Sequence, residues 1–91
     1  MTEGVMMTPS RAEIVSTVTA ILARELGMSA DALTPDLDLR AVEGADSVKV
    51  LVMISRIERT YDIEIEDEDV FALSSINDVV RIVLAALETA V

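Results

Sequence analysis

The chain predicts an all-α fold: a four-helix bundle of three longer helices and one short helix, with a long loop between the first and second helices. Three stretches carry apolar residues at helical spacing, each opened or closed by residues that cap helices. Only one segment alternates like a strand, and it has no convincing partner. The apolar fraction is 52% with one Phe and one Tyr, so the core is aliphatic. Ninety-one residues suit one domain near the low end of what folds unaided, and the absence of cysteine removes disulfides and thiolate metal sites as supports.

Residues 1–8, "MTEGVMMT", read as a flexible N-terminal tail, and residues 9–91 as the helical domain. The tail lacks the basic start and long apolar stretch of a signal peptide. Pro9 suits a first turn, and Ser10 with Glu13 has the capping-box pattern. Ile14, Val18, Ile21, Leu22 and Leu26 then form one stripe, which Gly27 ends. The connection over residues 28–46 contains Pro35 and, ahead of Asp46, the aspartates Asp31, Asp36 and Asp38, with Leu33, Leu37 and Leu39 spaced to anchor it across the bundle. Loops of this length are uncommon in compact domains and often functional.

The second helix is expected from Ser47 to Tyr61. At about 100° per residue, Val50, Met53, Ile54, Ile57 and Tyr61 share the core side, with Leu51 at its edge. Val48, Val52, Ser55 and Arg59 stack on the opposite, exposed side, flanked by Lys49 and Arg56. "YDIEIEDED" has a strand's period, but without a partner Ile63 and Ile65 read as plugs of an extended connection. A short helix around Glu66 to Leu73 is expected to bury Val70, Phe71 and Leu73. Ser75 with Asp78 then opens a last helix with the stripe Ile76, Val79, Val80, Val83, Leu84 and Leu87. Arg81 interrupts this apolar stretch, which falls short of the roughly 20 residues needed to span a bilayer.

Seventeen acidic against seven basic residues give a net charge of −10. That balance disfavours nucleic acid and anionic membranes, and it fits either a partner with a basic surface or simple solubility. Without histidine or cysteine, the usual general base and the strongest nucleophile are missing, so the chain is not expected to be an enzyme. The carboxylates of residues 62–69 form a solvated run; Asp62, Glu64, Glu66 and Glu68 alternate, but without the glycine and spacing of a calcium loop, so no metal is expected. The cytoplasm is the expected location.

The stretch "GADSV", residues 44–48, raises a sharper question. Asp46 is suited to cap the helix that follows. Ser47 falls at a helix N-terminus, where backbone N–H groups lack partners and the dipole favours negative charge. A phosphodiester on its hydroxyl would be stabilised by that field. From these residues two readings stand: a helix-start serine and nothing more, or an attachment point.

Their surroundings carry a resemblance. "GADSV" matches the Gly-x-Asp-Ser-aliphatic attachment motif of the acyl carrier protein family, small domains that bear 4′-phosphopantetheine on a serine. The apolar pattern then runs without a gap into "YDIEIEDEDV", where the family has an aromatic residue, Asp-Ile-x-Ile and an acidic cluster. "SSINDVVRIV" is similar to the family's last helix, and "ILARELGMSADALTPDLDL" to its first helix and loop. The likeness covers about residues 10 to 88.

The resemblance implies that Ser47 is the attachment point, with Asp46 as motif residue and helix cap. A separate phosphopantetheinyl transferase, using coenzyme A and a divalent cation, would supply the catalytic groups, and the arm's thiol would hold an acyl group as a thioester. Further partners would be acyl-loading, acyl-transferring or condensing enzymes, and the carrier is expected to be a monomer. Val50, Ile54 and Ile57 are candidates to line a shelter for the acyl chain. Val48, Val52, Ser55, Arg56 and Arg59 are candidates for partner docking.

Two departures from the family qualify this picture. Its second helix is usually acidic outside, whereas residues 47–60 here hold Lys49, Arg56 and Arg59 against Glu58 alone, and Val52 stands where an acidic residue is common. Val48 and Val52 then either touch the loop of residues 28–46 or offer an apolar contact to a partner. Glu43 stands where the family usually has Leu, with Val42 as a neighbour that could fill the gap. Both favour a free-standing carrier of a specialised pathway, such as polyketide or related assembly, over the housekeeping carrier of fatty-acid synthesis. An aminoacyl or peptidyl carrier is an alternative, although those more often show Gly-Gly-x-Ser where Asp46 favours the acyl branch. An unmodified helical protein-interaction module is the other.

Overall fold

Four α-helices form in the computed structural model: α1 (Arg11–Leu26), α2 (Ser47–Tyr61), α3 (Asp67–Ala72) and α4 (Ile76–Thr89). The structure describes residues 9–42 and 46–89, without the side chains of Ser47 and Thr89. The expected tail over residues 1–8 and the departure at Glu43 lie outside the described residues. Three long helices, one short helix and a long α1–α2 connection are the architecture that the apolar periodicity predicts, and no strand occurs among the described residues.

Local signals set the helix ends. Ser10 Oγ accepts from Glu13 N at 3.2 Å while Glu13 accepts from Ser10 N at 2.9 Å, a reciprocal capping box that satisfies two N–H groups left over at the start of α1. This holds the Glu13 carboxyl below its usual pKa, chiefly through the Ser10 backbone N–H. Gly27, at φ 67°, ends α1 in the left-handed conformation, and Met28 N reaches back to Ala23 O at 2.9 Å. Asp62 plays the same part for α2 at φ 54°, with Ile63 N bonded to Glu58 O at 3.0 Å. Asp78 N donates to Ser75 Oγ at the start of α4.

α1 packs against both α2 and α4. Its Ile14, Val18 and Leu22 meet Met53, Ile54 and Ile57 of α2 and Ile76, Val79, Val80 and Val83 of α4 in one buried cluster. Ile63 and Ile65 are buried in the same core, so the alternating segment is a pair of plugs in extended chain. Burying so many Leu, Ile and Val side chains, at about 1.5–3 kcal/mol each, is the dominant favourable term in a chain without cross-links.

The α1–α2 connection is pinned rather than free. Two short 3₁₀ turns, Ala30–Ala32 and Leu39–Ala41, punctuate it; Leu33 is buried, and Leu37 and Leu39 are half-buried. Leu39 N donates to Ser74 O at 2.8 Å, and Asn77 N donates to Pro35 O at 3.0 Å. Arg40 extends the tie, its Nε donating to Leu73 O at 3.2 Å and its Nη2 to Phe71 O at 3.0 Å.

Two expectations are corrected. Phe71 is 81% exposed rather than buried, because a helix of six residues offers one narrow inward face and Val70 occupies it. Leu51 is 57% exposed rather than tucked at the core's edge, since Val50 and Ile54 already fill the inward side of that turn.

Candidate functional site

Asp46 has extended backbone, φ −85° and ψ 174°, and its Oδ1 accepts from Lys49 N at 2.9 Å. Its own carbonyl accepts from Val50 N at 3.0 Å, closing the first helical turn. The aspartate is therefore the cap of α2, and Ser47 is the first helical residue. The Ser47 side chain lies outside the described atoms, but its backbone position is set by the cap. Val48, the next residue, is 69% exposed.

α2 separates two apolar depressions. On one side, a cleft of about 490 Å³ opens between α2, α3 and the turn at Leu39–Ala41. Val50, Ile54 and Ile57, singled out from the sequence, all line it, with Phe71 and Arg40 among its other walls. On the other side, Val48, Val52, Ser55, Arg56 and Arg59 come together as anticipated, around a groove of about 330 Å³. Val52 is half-buried there rather than fully exposed. Arg56 is tied across to α1, its Nε lying 3.3 Å from Glu25 Oε1.

Leu51 and Arg40 were missed by sequence reasoning. Leu51 lines both depressions and forms the ridge between them. Its position at the boundary of the helical stripe was the available signal. Arg40 gave none, because its role comes from carbonyls more than 30 positions away.

The acidic stretch after α2 shows no metal geometry: among the described residues no group of three or more Asp, Glu, His or Cys is placed to hold an ion. Among those residues, too, no helix is long and apolar enough to cross a membrane.

Residues 16–83 match the family model described as the phosphopantetheine attachment site. The chain is 34% identical over 71 residues to an acyl carrier protein from Exiguobacterium sp., covering 78% of this chain and 90% of that one. It is 32% identical over 59 residues to an acyl carrier protein from Syntrophobacter fumaroxidans, covering 65% and 73%. Its fold is similar to that of the acyl carrier protein from Enterococcus faecalis, with a TM-score of 0.73 at 24% identity over 86% of this chain and 99% of that one. The oxytetracycline acyl carrier protein gives a TM-score of 0.68 at 22% identity over 94% and 90%.

The prosthetic group of this family is a covalently bound 4′-phosphopantetheine, and the residues at the start of α2 fit one. A serine opens a 15-residue helix whose field favours a phosphodiester, its neighbouring aspartate is engaged by Lys49 N, and the next residue, Val48, is exposed. On the matched family model and the identity to its members, the chain belongs to the acyl carrier proteins, which work through phosphopantetheine attachment.

Proposed function

We propose that Ser47 is the attachment residue and that the chain, as a carrier rather than a catalyst, presents acyl intermediates to the enzymes of a specialised pathway, such as polyketide or related assembly. The observation that carries the assignment is the capped α2 terminus, where Asp46 holds the first turn and leaves Ser47 as the leading helical residue. A phosphopantetheinyl transferase would approach from this end; acyl-loading, acyl-transferring and condensing enzymes would follow. When bound, the arm supplies a thiol that carries the acyl group as a thioester. The chain's own contribution is to hold the attachment point, to stabilise the phosphodiester charge with the helix field and to offer apolar surface beside it.

Val50, Ile54 and Ile57 are proposed to shelter part of a longer acyl chain. Their support is the apolar cleft they share, which opens beside the same helix. The carrier unit is taken as residues 9–91, monomeric and cytoplasmic. The basic and apolar exterior of α2 favours a specialised pathway, since it departs from the acidic exterior typical of the family.

Incubation with a broad-specificity transferase, coenzyme A and magnesium tests the assignment. Intact-mass measurement is expected to show one phosphopantetheine per chain, and none in Ser47→Ala. An unchanged mass in the wild-type chain would leave only an unmodified helical interaction module. For the cleft, an octanoyl group is expected to move the Val50 and Ile54 amide resonances where an acetyl group does not.

A further inference from the structure

We infer that the groove along the outer side of α2 docks a partner protein surface that presents an apolar side chain set among carboxylates. This inference rests on the carrier reading, because a partner seated against Val48 lies beside Ser47 and within reach of its arm.

The groove is lined by Val48, Leu51, Val52, Ser55, Arg56 and Arg59, with no carboxylate in its wall. Val48 and Leu51, 69% and 57% exposed, give it an apolar lip one helical turn long. Glu58, the one acidic residue of α2, is engaged elsewhere: its Oε2 accepts from Ile65 N at 2.8 Å, on the side of the 63–66 connection. Arg56 is partly neutralised by Glu25 of α1. Arg59 is exposed and has no ion-pair partner among the described residues.

The whole chain carries a net charge of −10, and on that ground alone a basic partner is expected. The groove's own lining, by contrast, holds two arginines and no carboxylate. Exposed charges are screened within about 8–10 Å at physiological salt, so a docking surface answers to the charges it meets and not to the total. A basic partner would press its cations against Arg56 and Arg59. An acidic one would pair with Arg59, compete with Glu25 for Arg56, and bury its apolar side chain on Val48, Leu51 and Val52. Protein interfaces favour this composition, an apolar centre with arginine at its margin.

The test uses the full chain, labelled with ¹⁵N and loaded by a transferase. Intact mass is read first, so that a failure to load overturns the attachment assignment separately from the groove. Two helical peptides of about 16 residues, with one leucine stripe flanked either by glutamates or by lysines, are then titrated. The glutamate peptide is expected to shift the amides of Val48, Val52, Ser55 and Arg59 and to lose affinity with added salt. Its affinity should fall about tenfold in Arg59→Glu and less in Arg59→Gln, with helical circular dichroism unchanged in both. Equal or tighter binding of the lysine peptide, shifts confined to residues 62–69, or no effect of either Arg59 variant would overturn the inference. A concentration-dependent dimer in sedimentation, abolished by Arg59→Glu, would assign the groove to a second copy and overturn it as well.

Discussion

Asp78 Oδ2 accepts two hydrogen bonds from Ser74, one from its backbone N–H at 3.0 Å and one from its hydroxyl at 2.7 Å. The other carboxylate oxygen accepts from Arg81 Nη2 at 3.1 Å. One side chain thus joins the chain leaving α3 to the first turn of α4. Ser74 in turn accepts from Leu39 N, so the same corner anchors the α1–α2 connection.

Acid should release this corner. The Ser74 hydroxyl and N–H, with help from Arg81, pull the Asp78 carboxyl from 3.8 to about 2. A carboxyl whose folded value is lowered adds stability above its unfolded value and loses it as pH falls through the folded one. The contribution is therefore nearly complete above about pH 4 and is lost as pH falls through about 2; screened by solvent at this partly exposed corner, it is on the order of 1 kcal/mol. Asp78→Ala is expected to lower the wild-type stability at pH 7 and to flatten its decline between pH 4 and 2, as measured by denaturant titration.

Removing the α2 cap should weaken the fold and the site together. Asp46→Ala orphans Lys49 N and is expected to cost about 1 kcal/mol, seen as a Tm lowered by about 5 °C. Asp46→Asn keeps an acceptor oxygen and should retain most of that stability. With Ser47 as the proposed acceptor, comparing the loading rates of the two variants separates the cap from the carboxylate charge: slow loading of both would assign the rate to charge, slow loading of the alanine variant alone to the cap.

Arg40 should govern the opening of the cleft wall. Its guanidinium spans Phe71 O and Leu73 O, and α3 has little else to hold it, with Val70 and Leu73 only half-buried. Arg40→Met preserves the apolar stem and removes the bonds, at a cost of about 1 kcal/mol. Hydrogen exchange is expected to speed up at the amides of α3 while those of α1 and α4 keep their protection.

Asp62 pays a conformational cost at the end of α2, being a residue with a Cβ held at φ 54°. Asp62→Gly is expected to raise stability by about 0.5 kcal/mol, the relief of the left-handed strain exceeding the added entropy of the unfolded chain. Asp62→Ala should lower it, because alanine lacks aspartate's tolerance of that region. Thermal denaturation of the three proteins gives the order.

The helices, their caps and most of the core were readable from residue order alone. A stripe such as Ile14, Val18 and Leu22 recurs with the turn of the helix, and a cap such as Ser10 with Glu13 closes within three residues, so both are local. The cap of α2 was readable for the same reason: Asp46 bonds to Lys49 N, again three positions away. Tertiary packing alone decided that Phe71 faces solvent, that Leu51 becomes a ridge between two depressions, and that Arg40 ties its loop to carbonyls across the bundle. It also turned Glu58 toward Ile65. Each of these depends on where a distant segment comes to rest, and periodicity, which reports only the direction of a side chain on its own helix, carries no record of that.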